Sequence, residues 1–137
     1  MNKTLKDAQL LIKAYNDEYH TEFEPMQKYD LFPENDETYG FKQQWPGNGK
    51  AGVYLILDKD QQVIYVGQTS SFGSRFYQYF KPAGDLCIIR SSFWEGAPRY
   101  IVAIPVPNQD KKYERLSLEE YLIEKLNPID NTRGKTN

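Results

Sequence analysis

Glu119 is the residue of this chain that most needs a chemical reason to be where it is. With about 100° of turn per residue, Leu116, Leu122, Ile123 and Leu126 gather on one helical face, and Glu119 points into the middle of them. An unpaired carboxylate buried there would cost several kcal/mol. It can pair with an arginine, Arg75 or Arg99 being the plain choices, it can ligate a metal, or it can reach out through a cleft. Glu120, on the flank, has an ordinary alternative, because Ser117 and Glu120 fit a capping box if the helix begins late. Arg75 and Tyr79 are four residues apart and share one helical face, and a guanidinium is the side chain whose planar fork suits phosphate. Tyr54 and Tyr65 lie in two apolar runs joined by a short polar turn, which brings the two phenols close. Taken singly, each has a duller reading: tyrosines pack in strands, an arginine is solvated on a helix, and Asn131 belongs to a turn.

The elements that must position these groups are legible in outline. Residues 5–19 repeat Leu5, Ala8, Leu11, Ile12, Tyr15 and Tyr19 at helical spacing, with Thr4 and Asp7 as the start. Residues 20–50 hold Pro25, Pro33, Pro46, Gly40, Gly47 and Gly49 among aromatics and read as an irregular packed segment ending in a loop. Residues 52–57 and 63–67 read as two strands of a hairpin around Asp58–Gln62. A two-residue loop at Lys59-Asp60 would set Tyr54 directly opposite Tyr65; a longer one would shift the pairing, so proximity is the expectation and not the register. Ser70 and Ser71 are candidate caps for a short helix over 74–80 that Lys81-Pro82 ends. Residues 99–106 read as a third strand, buried on at least one side, with Pro105 near an edge. A last helix runs from about Asp110 to Leu126 and stops before Pro128.

The chain has 137 residues, 39% hydrophobic and 26% charged, enough for one ordinary domain. Seven Phe, two Trp and eleven Tyr exclude a disordered chain. The single cysteine, Cys87, excludes an internal disulfide, and the single histidine, His20, excludes a His–His metal pair; both read as structural. No apolar run is long enough for a membrane span, and the first residues lack a signal-peptide pattern, so the expected location is cytoplasmic. Residues 1–48 carry five Lys, no Arg and nine acids, net −4, whereas residues 49–137 carry twelve cations and ten acids, net +2, with all five arginines. A global nucleic-acid footprint is therefore missing.

In order, these residues resemble the GIY-YIG nuclease superfamily. The naming motifs stand as Gly52-Val53-Tyr54 and Tyr65-Val66-Gly67. Arg75 follows in Arg-Phe-Tyr-Gln-Tyr-Phe, similar to the arginine helix in the amino-terminal domain of the bacterial excision-repair nuclease. Glu119, Leu122, Ile123, Pro128 and Asn131 reproduce the spacing of the family's metal-binding Glu and terminal Asn. The resemblance covers roughly residues 50–131. It implies an α+β fold: a small three-stranded, mostly antiparallel sheet flanked by helices, as a domain over 49–137, with residues 1–48 as an N-terminal helical and irregular extension. Two departures stand out. Many members carry a basic residue where this chain has Gln68, and several have His where it has Tyr79.

What the resemblance implies is a metal-dependent endonuclease acting on DNA, with a divalent cation, Mg2+ or Mn2+. Glu119 would hold the cation, with waters and phosphate completing its shell. Arg75 would clamp the phosphate, with Gly67 and Gln68 beside the substrate. Tyr54 would act as general base with Tyr65 hydrogen-bonded nearby, provided the metal or Arg75 lowers a phenol that ordinarily ionises near pH 10. Tyr79 would orient water or phosphate, and Asn131 would fix the backbone of the site. The alternatives are an inactive nucleic-acid-binding module on the same fold, or a protein-interaction subunit that docks through its N-terminal segment. The partners to expect are DNA and either a second copy of the chain, which a double-strand cut would need unless two nicks follow one another, or a separate targeting partner.

Overall fold

The computed structural model describes residues 3–32, 45–83, 86–90 and 93–133, the side chains of 82–83, 86–87 and 132–133 excepted. In chain order the elements are α1 (Leu5–Tyr19), β1 (Tyr29–Asp30), β2 (Gly52–Leu57), β3 (Val63–Thr69), α2 (Phe72–Tyr79), β4 (Phe80–Ala83), β5 (Leu86–Ile89), β6 (Tyr100–Pro105), α3 (Lys112–Leu126) and α4 (Ile129–Arg133). The sheet is antiparallel throughout, in the order β1-β6-β2-β3, and β4 and β5 form a separate two-stranded ribbon. The three expected strands are its body. The fourth, β1, is two residues long and pairs Tyr29 with Ile101 and Asp30 with Tyr100.

Both faces of the sheet are covered, which is why β2 is an unbroken apolar run, buried at every residue. On one face Val53, Leu55, Val66, Val102 and Ile104 pack under α1 and α3 through Ala8, Ile12, Leu118 and Leu122. On the other, Tyr54, Ile56, Ile101 and Ala103 pack under α2 through Phe72 and Phe76, with Leu31. The described part of residues 1–48 thus belongs to the same core: Tyr15 of α1 bonds Ser117 of α3 (O···O 2.7 Å) and packs on Tyr121. α1 begins as its sequence predicts, the Thr4 amide donating to Asp7 Oδ2 at 2.8 Å. Exposed His20 closes it in the left-handed conformation.

Two local expectations are corrected, and the hairpin register, left open by the sequence, is fixed. The hairpin loop is longer than two residues: Asp58 Oδ1 accepts the amides of Asp60 and Gln62, Gln61 takes φ +62°, and the pairing slips between Ile56 and Leu57. Tyr54 therefore faces Gly67, and Tyr65 faces Ile56. α2 starts two residues early, at Phe72 after Ser71, and so takes in Gly73, where a Cβ would overlap the Asn48 carboxamide. It ends at Tyr79, where Phe80 turns into β4. α3 starts at Lys112, so Ser117 and Glu120 lie inside it and form no capping box. Pro105 is the last residue of β6, beyond the reach of β1. Residues 33–44 of the irregular segment and the side chains of Pro82 and Cys87 lie outside the described residues.

Candidate active site

The site begins with three phenols on the α2 side of the sheet. Tyr54 comes from the middle of β2, Tyr65 from β3 and Tyr79 from the last turn of α2. Their ring centroids form a triangle: 6.0 Å from Tyr54 to Tyr65, 6.2 Å from Tyr54 to Tyr79 and 6.4 Å from Tyr65 to Tyr79. The hydroxyls of Tyr54 and Tyr79 lie 3.0 Å apart. Gly67 makes the triangle possible, because any Cβ there would overlap the Tyr54 phenol. Its missing side chain leaves room for a tyrosine of the site, where the sequence pointed to room for substrate.

Tyr54 is fully buried, while Tyr65, Arg75 and Tyr79 are half-buried. Burial pushes the Tyr54 phenol well above its ordinary range, and the fields of Tyr79 and Tyr65 add to this; Arg75 opposes it with less weight. Tyr65 is raised by burial first, then by Tyr79 and by the negative charge of Glu119. Burial works against the Arg75 guanidinium, but Tyr54, Tyr79 and Tyr65 together outweigh it and hold Arg75 above its ordinary value. The expectation that Arg75 lowers a phenol is therefore not met in the protein alone: at neutral pH Tyr54 and Tyr65 are protonated.

Glu119 enters from α3 and is half-buried. It is not the centre of the apolar stripe. The buried face of α3 is Arg115, Leu118, Leu122 and Leu126, with Leu116 exposed and Glu119 on the flank. Counting only apolar residues omitted Arg115 and rotated the expected face. Glu119 is close enough for its charge to act on Tyr65. Arg99, one suggested partner, is engaged elsewhere, with Asp30 at 2.6 Å.

Asn131 reaches β3 from α4. Its Oδ1 accepts the Val66 amide at 2.7 Å and its Nδ2 donates to the Val66 carbonyl at 2.9 Å, between Tyr65 and Gly67. Its neighbour Asp130, fully buried, accepts the amides of Glu95 and Gly96 at 2.6 and 3.1 Å. That contact ties down the loop whose Trp94 packs edge-on to Tyr65 and Tyr79 and stacks on Phe80. Gln68 accepts a hydrogen bond from Arg115 Nε at 2.8 Å. Asp130, Trp94 and Arg115 escaped the sequence reading. The departure at Gln68 was the only signal for Arg115, and nothing pointed to the other two.

Among the described residues no three acids, histidines or cysteines gather into a metal cage. A single half-buried carboxylate suits a cation that shares its shell with waters and a phosphate, and Glu119 is the residue that would hold it. Chemically, the arrangement offers one carboxylate, one guanidinium and a hydrogen-bonded phenol cluster at the sheet face.

Comparison with known proteins assigns this stretch of the chain to one family. The family model for the GIY-YIG catalytic domain matches residues 50–134. UvrABC system protein C of Mesoplasma florum is 39% identical over 79 residues, that of Mycoplasma capricolum 34% over 79, and that of Methanosphaera stadtmanae 35% over 79. Each alignment covers 58% of this chain but only 12%, 12% and 13%, respectively, of the relative.

Proposed function

Because the chain belongs to the GIY-YIG catalytic domain family, we propose that it is a metal-dependent endonuclease that hydrolyses phosphodiester bonds in DNA. The observation that carries this reading is the meeting of Arg75, Tyr54, Tyr65 and Tyr79, with the charge of Glu119 acting on the same cluster. Arg75 takes a phosphoryl oxygen and balances the charge that develops there. When bound at Glu119, a cation such as Mg2+ or Mn2+ supplies charge neutralisation and help for the leaving oxygen. The half-buried Tyr79 hydroxyl orients the attacking water, and Tyr54, 3.0 Å behind it, is the general base: once Arg75 and the bound cation have lowered its phenol, its own proton passes through Tyr79 to solvent and the proton of the water returns by the same route. Tyr65 and Tyr79 line the site, Gly67 leaves the space that Tyr54 fills, Gln68 flanks the substrate, and Asn131 keeps β3 in place.

Supercoiled plasmid incubated with Mg2+, and again with EDTA, tests the reading. The wild-type chain is expected to relax and linearise the plasmid only with Mg2+, and Glu119→Ala to leave it intact. Intact DNA with the wild type, or undiminished cutting by Glu119→Ala, removes the enzymatic reading. A second reading, binding without cleavage, has the protonated phenols and Gln68 in its favour; it predicts salt-sensitive DNA binding that Glu119→Ala does not weaken. With one site per chain, a double-strand cut needs two copies or two successive nicks.

A further inference from the structure

Arg115 is a buried cation without an ion-pair partner among the described residues. It is 8% exposed, yet it stands on the inner face of α3. Its Nε is spent on Gln68 at 2.8 Å. No carboxylate among the described residues forms an ion pair with it; Asp30 pairs with Arg99 and Glu114 with Lys111. The terminal nitrogens of its fork are not sealed, since the Trp94 indole nitrogen is the only buried unpartnered side-chain polar atom among the described residues. A guanidinium cannot escape by losing its proton. Burying one is costly unless an opposite charge meets it. Its position adds to the cost, because α3 begins at Lys112 and the positive end of a helix repels a further cation.

Its surroundings say which anion. Gln68 follows Gly67, the residue under the Tyr54 ring, and Glu119 is one helical turn beyond Arg115 on α3. The unfilled charge therefore lies on the α3 side of the sheet, one helical turn from Glu119, whose own charge acts on Tyr65. Gln68 itself stands where many chains resembling this one carry a basic residue. Here the strand supplies a neutral acceptor and the helix supplies the charge. We propose that Arg115, set in place by Gln68, binds a backbone phosphate of the nucleic-acid strand next to the phosphate held at Arg75 and Glu119. The assignment rests on the nucleic-acid reading of the site. The rival is an arginine that merely packs its stem against the core.

The test uses the full chain and a fluorescein-labelled DNA duplex in EDTA, titrated at several salt concentrations. Arg115→Met is expected to weaken binding about tenfold and to reduce the slope of log K against log salt by about one, while Tm stays level or rises. Gln68→Lys combined with Arg115→Met is expected to recover the slope. A packing arginine gives the opposite pattern: Tm falls, affinity and slope stay, and the lysine rescues nothing. Either unchanged affinity and slope, or failure of the rescue, overturns the proposal. Should Arg115→Met not fold, Gln68→Ala replaces it; weaker binding with an unchanged slope supports the assignment, and wild-type affinity overturns it. Plasmid cleavage by the wild type together with unaltered binding by Arg115→Met sinks this proposal alone. Binding with the expected Arg115 dependence but no cleavage sinks the nuclease reading alone, and absence of binding by the wild type sinks both.

Discussion

Arg99 and Arg75 belong to opposite sides of one sheet, and their surroundings treat them differently. At the β1 side, Arg99 is closed: Nε and Nη2 donate to the two oxygens of Asp30 at 2.6 and 3.1 Å, and Nη2 also donates to the Phe32 carbonyl. Beside β3, Arg75 faces three phenols and Arg115 faces the amide of Gln68, and neither has an ion-pair partner among the described residues. Both regions hold charge at partial burial. In the first the chain supplies the opposite charge and gains stability; in the second no described carboxylate forms an ion pair with either guanidinium. A cation that the fold itself neutralises is a fastener. One that the fold desolvates without neutralising is prepared for a ligand.

The largest effect expected from this contrast is at Glu119. Glu119→Gln should lower cleavage by about a thousandfold or more while Tm and DNA binding in EDTA stay at wild-type values. A fall in Tm as large as that from breaking the Arg99 pair would erase the distinction between the two sides. Next is Arg99→Met, which leaves Asp30 half-buried and unpaired. It should cost about 2 kcal/mol, the pair being partly solvated, measured by urea unfolding, with cleavage per folded molecule unchanged.

The third prediction concerns acid. Burial alone would raise the Asp30 carboxyl, but the Arg99 hydrogen bonds and charge, with the Phe32 amide, hold it below its ordinary 3.8. Its stabilising contribution is present above that value and is lost as the pH falls through the lower folded value. Wild-type Tm should therefore drop more steeply below about pH 4 than that of Asp30→Asn. The smallest effect is at alkaline pH. Tyr54 and Tyr65 hold their protons more tightly folded than unfolded, so their contribution is full below about pH 10 and declines above it. Phenolate absorbance should show two tyrosines ionising only with unfolding, and Tyr54→Phe should reduce the steepness of the alkaline loss.

How far the sequence could be read follows the same physics. Long elements with a sustained apolar pattern, such as α1 and the β2–β3 hairpin, were legible because burial of a whole face dictates them. The register was not, because it depends on where Asp58 places its carboxylate in the turn. β1 has two residues and no period to detect. The ordered set Tyr54, Tyr65, Arg75, Tyr79 and Glu119 could be named in advance, but its electrostatics could not. Whether Arg75 or burial governs Tyr54 depends on how completely Phe72, Phe76 and the neighbouring strands cover that ring. Arg115 was hidden because an arginine in a helix ordinarily counts as surface, and only the packing of α3 shows it turned inward.

The carboxamide of Asn131 has one further consequence. β3 is the outermost strand, and on its open side Val66 presents an amide and a carbonyl that a neighbouring strand would take. Asn131 offers both complementary groups in the orientation a peptide of that strand would have. It acts as a one-residue counterfeit of the missing neighbour, and so bars a second polypeptide from zipping onto the sheet there. Asn131→Ala should therefore leave a chain prone to self-association along β3, visible as concentration-dependent growth in light scattering before any unfolding begins.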